Sequence, residues 1–128
     1  MIPEATLVLI VDDSDRNRKL AGDVLRFAGF RTLEAATAAE GIALAVEHLP
    51  DVILMDLRLP DLDGAKAAGV LRAEPRTSRI PVVAMTASPL SGEDGWLVAA
   101  GFAGQIAKPF DTDAFPDLVR RFAAGEAE

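Results

Sequence analysis

The sequence predicts a doubly wound α/β fold: a five-stranded parallel sheet in the order 2-1-3-4-5, flanked by five helices. Three observations predict it. Short, wholly apolar runs recur at Leu7–Val11, Val52–Met55, Pro81–Met85 and Ile106-Ala107, and strands buried on both faces read as continuous apolar runs. Segments with helical spacing separate these runs throughout, which is the rhythm of βαβ units. Each run also ends on polar residues: Asp12-Asp13, Asp56, Thr86 and Lys108. Open α/β sheets bind ligands outside the carboxyl ends of their strands.

The elements follow in order. Leu7–Val11 is the first strand, and a helix runs from about Asp15 to Ala28, where Gly29 ends it. Leu20, Val24, Phe27 and Ala28 recur at helical spacing and are expected to form its buried face. Arg31–Ala35 alternates polar and apolar, as a half-exposed edge strand does, which places it at the rim of the order. Thr37-Ala38-Ala39-Glu40 has capping-box spacing, and Ile42, Ala45, Val46 and Leu49 are the expected buried face of the second helix. Val52–Asp56 is strand three, Leu59–Gly64 a loop, and a helix to Ala73 follows. That third helix reads as weak, because Ala65, Ala67 and Ala68 bury little area and Gly69 costs about 1 kcal/mol relative to alanine. Pro81–Met85 is strand four. Ser91 to about Ala100 is a fourth helix containing Gly92 and Gly95. Gln105–Ala107 is a short fifth strand. The last helix starts near Asp113, because Pro116 fits only a first turn, and buries Phe115, Leu118, Val119 and Phe122. Right-handed crossovers join these units.

The chain has 128 residues, read as one domain over 1–128, with a core of about 5–122 and a short tail over 123–128. A chain of that length buries about two-thirds of its unfolded surface. Half of it is apolar, but 23 residues are alanine, so small side chains outnumber bulky ones in the core. It has no cysteine, which excludes disulfides and thiolate metal sites. The start lacks the basic and apolar regions of a signal peptide, and no segment reaches the roughly 20 apolar residues of a membrane span. A cytoplasmic protein is expected. The net charge of −7 argues against nucleic acid as a direct partner.

Each polar strand end has a bland explanation when taken singly. Adjacent acids can cap a helix, Asp56 can sit in a solvated loop, and Lys108 can be a surface lysine. Their joint occurrence at successive strand ends is much harder to explain that way. Three carboxylates, a hydroxyl and an ammonium in one crevice suit a metal ion and a phosphoryl group.

Val8–Asp13, Asp51–Asp56, Leu59–Gly64, Met85-Thr86-Ala87 and Lys108-Pro109-Phe110 resemble the signature blocks of response-regulator receiver domains. These are the phosphoacceptor modules of two-component signalling, and their fold is flavodoxin-like. The resemblance covers about Ala5 to Phe122. It implies that Asp56 accepts a phosphoryl group from the phosphohistidine of a sensor histidine kinase or histidine phosphotransfer protein. It implies a Mg²⁺ site made by Asp13, Asp56 and the backbone carbonyl of Arg58, with Asp12 acting through water. Thr86 would hydrogen-bond a phosphoryl oxygen and Lys108 would pair with it. The Lys108-Pro109 bond would be cis. Such a protein is not a turnover enzyme; it catalyses only its own phosphorylation and dephosphorylation. It signals by changing its contacts with a downstream protein, here through the face made by helix four, strand five and helix five. Neither nucleic acid nor membrane is an expected partner.

One position departs from the pattern. The family usually carries an aromatic ring three residues before the lysine, and here that residue is Gln105 in a chain without tyrosine. Gln105 supports a second reading, a pseudo-receiver that acts as a constitutive protein-interaction module. An aspartate-nucleophile phosphatase is disfavoured, because that class carries a second Asp two residues after its nucleophile and position 58 is Arg. Trp96, Leu97 and Val98 are consecutive and cannot all face the sheet, so Trp96 is a candidate contact residue. His48, at the end of helix two, lies far from the predicted crevice and is expected only to complement the helix dipole.

Overall fold

Residues 6–86, 100–108 and 111–125 are described by a computed structural model of the chain. Its strands are β1 (Leu7–Val11), β2 (Arg31–Ala35), β3 (Val52–Asp56), β4 (Val82–Thr86) and β5 (Gly104–Ala107). All pair in parallel, in the order β2-β1-β3-β4-β5. The helices described are α1 (Asp15–Phe27), α2 (Ala38–His48), α3 (Gly64–Ala73) and α4 (Phe115–Ala123). The predicted helix over 91–100, with Trp96, Leu97 and Val98, lies outside the described residues except for its last position, as does the Lys108-Pro109 bond.

Alternation along each strand builds a core on both faces of the sheet. Val8, Ile10, Leu54 and Met85 pack with Ala21 and Leu25 of α1 and with Phe115, Val119 and Phe122 of α4. Leu9, Val11, Ile53 and Met55 pack with Ala38 and Ala45 of α2 and with Ala67, Ala68 and Leu71 of α3. The unbroken apolar runs are thus the direct product of having helices on both sides. β2 pairs with β1 alone and is the half-exposed edge that its sequence predicts, although burial along it does not strictly alternate. Among the described residues no helix is long and apolar enough to cross a membrane.

Several expected details need correction. The stripe chosen for α1 faces the core only in part: Leu20 is 43% exposed and Phe27 96%, whereas Ala21, Gly22 and Leu25 are buried. Val24 and Ala28 are half-buried at the margin. In α2 the buried residues are Ala38, Gly41 and Ala45, with Ile42 packed alongside. Leu49 has left the helix in a left-handed conformation, φ 50°, and is 51% exposed. Ala67 and Ala68 of α3 are small but wholly buried, and Ala65 is half-buried beside them, so the helix seats close to the sheet rather than loosely. β4 begins and ends one residue later than expected, and β5 begins one residue earlier. α4 starts at Phe115 rather than Asp113, because a turn forms first: Asp111 accepts N–H bonds from Asp113 on its side chain and from Ala114 and Phe115 on its carbonyl.

Candidate functional site

Four strand ends meet at one rim of the sheet. Val11 lies abreast of Met55, Asp56 of Met85, and Thr86 of Ala107. Asp12 and Lys108, which follow β1 and β5, therefore flank Asp56 and Thr86, the last residues of β3 and β4. β1 and β3 are also the strands between which the connections diverge, where doubly wound sheets open a crevice.

Lys108 ties this rim together. Its Nζ lies 3.1 Å from Asp12 Oδ2 and 3.2 Å from Asp56 Oδ2, with the side chain only 14% exposed. Burial by itself pushes the ammonium down. Hydrogen bonds and charges from Asp12 and Asp56 outweigh that and hold its pKa above the ordinary lysine value. The Lys108 N–H also donates to the Thr86 carbonyl at 2.7 Å, which fixes where the side chain starts.

Asp12, Asp13 and Asp56 each bring a carboxylate oxygen within 4.8 Å of the others. Asp12 and Asp56 are buried, whereas Asp13 is exposed. Three carboxylates against one ammonium leave a formal excess of two negative charges. A hard dication with oxygen ligands fits that donor set, and Mg²⁺ in particular needs few protein ligands because it keeps several waters.

Local bonds show why these acids are not caps. Ser14 caps α1, its Oγ accepting the Asn17 N–H at 3.2 Å, and Asp12 Oδ1 accepts the Ser14 N–H at 2.9 Å. The bland reading of the Asp-Asp pair therefore fails for α1. Asp56 Oδ1 accepts the Arg58 N–H at 3.0 Å, so residue 58 meets the Asp56 carboxylate through its N–H. Thr86 is buried at the end of β4. At Gly64 a β-carbon would lie 2.6 Å from the Asp56 carbonyl oxygen, so α3 begins directly against the end of β3. His48 is an exposed side chain at the end of α2, its Nε2 3.8 Å from Glu47.

Two residues that sequence reasoning did not single out are wired to this rim. Arg18 donates to the Asp12 carbonyl at 2.6 Å. Asp61 spans the first turn of α2, its two oxygens accepting from the N–H groups of Ala38 (2.9 Å) and Ala39 (3.0 Å). With Thr37 Oγ1 on the Glu40 N–H at 3.1 Å, the first three N–H groups of α2 are capped, and the Glu40 carboxylate accepts the Ala36 N–H at 3.0 Å. The capping-box spacing revealed only the local half of that arrangement. Asp61 comes from 23 residues away, in the loop after β3.

The N–H bonds from Ala39 and then Ala38 hold the Asp61 carboxyl below the usual aspartate value, against a smaller opposing effect of burial. Its contribution to stability is therefore complete above the ordinary aspartate range and fades as pH falls through the lowered value. Asp61→Asn should lower the melting temperature at pH 7. It should also flatten the acid limb of the stability–pH curve; an unchanged acid limb would rule the clamp out.

The sequence profile of the response regulator receiver domain matches residues 8–120. The chain belongs to the receiver-domain family. This receiver is 32% identical over 115 residues to the polar-differentiation response regulator DivK of Brucella ovis, covering 90% of this chain and 94% of that protein. Its fold is similar to the receiver domain of the Pseudomonas aeruginosa PAO1 sensor histidine kinase PA1611 (TM-score 0.84, 32% identity, 94% of this chain and 98% of that one). That domain was crystallised with a magnesium ion coordinated in its active site cleft. It is also similar to the chemotaxis response regulator CheY4 of Vibrio cholerae (TM-score 0.86, 26% identity, 91% of this chain and 98% of that one). Receivers of this family are signalling phosphoacceptors of two-component systems, working with histidine kinases and downstream targets.

Proposed function

We propose that this receiver takes a phosphoryl group onto Asp56 from a partner phosphohistidine and passes the new state on through protein contacts. The observation that carries the reading is Lys108 Nζ, held between Asp12 and Asp56 at 3.1 and 3.2 Å at the carboxyl end of the sheet. An Asp56 oxygen attacks phosphorus, the P–N bond breaks, and its electron pair stays on the imidazole. The product is an acyl phosphate, a covalent intermediate. Lys108 and the Thr86 hydroxyl would receive the phosphoryl oxygens, the lysine by charge and the threonine by hydrogen bonding. Asp13 and Asp56, the Arg58 carbonyl, and Asp12 through water are the proposed Mg²⁺ ligands. A Mg²⁺ held there would supply positive charge to the transferring group, where phosphoryl transfer needs it.

The donor is a sensor histidine kinase or a histidine phosphotransfer protein, and the recipient of the signal is another protein, reached through the face that includes β5 and α4. The receiver catalyses its own phosphorylation and slow hydrolysis, in the cytoplasm, with no external substrate. Incubation with acetyl phosphate and Mg²⁺ tests this. Intact-mass spectrometry should show one added phosphoryl group in the native chain and none in Asp56→Asn.

Gln105 favours the second reading, a pseudo-receiver. It occupies β5 beside Ala84 of β4, where it cannot bury an aromatic face. Absence of any phosphoryl gain in the native chain would select that reading.

A further inference from the structure

Arg18 lies in the second turn of α1, yet its guanidinium folds back onto the loop that carries the acids. Its side chain is 15% exposed, against 79% for Lys19 and 47% for Arg26 on the same helix. Nη1 donates to the main-chain carbonyl of Asp12 at 2.6 Å, Nη2 pairs with Asp15, and Nε lies 3.7 Å from Glu34 on β2. The remaining polar atoms of Asp12 are also engaged. Its N–H donates to the Ala35 carbonyl at 3.0 Å, Oδ1 accepts from Ser14 at 2.9 Å, and Oδ2 accepts from Lys108 at 3.1 Å. Four residues from three segments, α1 with its cap, the end of β2 and the end of β5, therefore hold one residue of the acidic cluster, and Arg18 supplies the bond to its carbonyl.

We infer that Arg18 is a positioning residue for cation binding at the acidic rim. This rests on reading the rim as the Mg²⁺ site of a phosphoacceptor. Three carboxylates within 4.8 Å repel one another, so the loop bearing Asp12 and Asp13 gains by spreading when no cation is bound. The clasp on the Asp12 carbonyl opposes that movement by closing the loop against α1. Arg18 needs no contact with the ion to do this. Its rigid fork reaches the carbonyl and Asp15 together, which a lysine ammonium does not reproduce.

The test is Mg²⁺ binding measured by calorimetry well below the melting temperature. Residues that orient metal ligands typically change affinity by about 10- to 100-fold when removed, so Arg18→Ala should weaken Mg²⁺ binding by about 10-fold. Phosphoryl uptake from acetyl phosphate at saturating Mg²⁺ should stay close to the native rate. Amide exchange at Asp12 and Ser14 should rise in the metal-free protein. Glu34→Gln removes the ion pair and leaves the clasp, so its Mg²⁺ affinity should match the native chain. A native-like affinity in Arg18→Ala would overturn the inference whatever its melting temperature, as would an equal loss in Glu34→Gln. If Arg18→Ala does not fold, Arg18→Gln is read by the same criteria. The two proposals fail separately. A native chain that binds Mg²⁺ but takes no phosphoryl group on Asp56 sinks the phosphoacceptor reading alone. A phosphorylated native chain with a native-like Arg18→Ala affinity sinks the clasp alone.

Discussion

Replacing Lys108 by alanine should slow phosphoryl uptake at Asp56 by about 100-fold, the scale of losing one charge-stabilising group from a reaction centre. It should leave Mg²⁺ binding nearly intact. The lysine is the cation found against both Asp12 and Asp56, and its pKa is held above the ordinary lysine value, so it is charged throughout the working pH range. Because that pKa is raised, the stability from the pairing is complete below the ordinary lysine range and is lost as pH rises through the elevated value. Removing the ammonium strips positive charge from the place where phosphoryl oxygens arrive. The three carboxylates keep their oxygens, and a dication meets a more negative pocket. The structural response to phosphorylation, read from amide NMR shifts with and without BeF₃⁻, should also be blunted. A native uptake rate together with a native BeF₃⁻ response would remove Lys108 from the mechanism.

Leu25→Ala and Phe27→Ala, two residues apart on α1, should differ widely in cost. Leu25 is fully buried between α1 and the sheet, and truncating such a leucine costs about 2–5 kcal/mol. Phe27 is 96% exposed, and surface substitutions of that kind stay within about 0.5 kcal/mol. Urea unfolding of both variants decides the matter. The reverse ranking would restore the face that periodicity chose.

The α1 error has a physical origin. Leu20, Val24 and Phe27 form a regular stripe of large residues, and periodicity weighs size. The stripe that packs contains Ala21 and Gly22 beside Leu25, small residues that let the helix lie close to β1 and β2. At Gly22 a β-carbon would come within 2.8 Å of the Arg26 guanidinium and 3.0 Å of the Glu34 carboxylate, which pair across this face at 3.6 Å. A helix with two competing stripes is oriented by what lies across from it. Leu49 failed for a related reason: the chain turns left-handed at that residue, and the helical phase that predicted its burial no longer applies.

The candidate site was more legible than the helix faces. Each of its acidic, hydroxyl and ammonium groups closes an apolar run, and parallel strands of similar length bring such closing residues to one rim. That is a short-range property, readable from a few residues at a time. Arg18 and Asp61 escaped notice because their partners are a main-chain carbonyl and the start of a helix 23 residues away, which carry no side-chain signature.

From the amino-acid order alone come the strand runs, the edge character of β2, the caps at Thr37 and Glu40, and the set of groups at the rim. These follow from local chemistry: side-chain alternation, hydrogen-bonding capacity and polarity at the end of a run. Only the folded chain decided that Lys108 would bridge carboxylates 96 and 52 residues away. The same holds for which stripe of α1 is buried and for the two clasps on the acidic loops. Those outcomes depend on several elements packing at once, where small residues, close approaches and distant charges set a rotation that no single segment encodes.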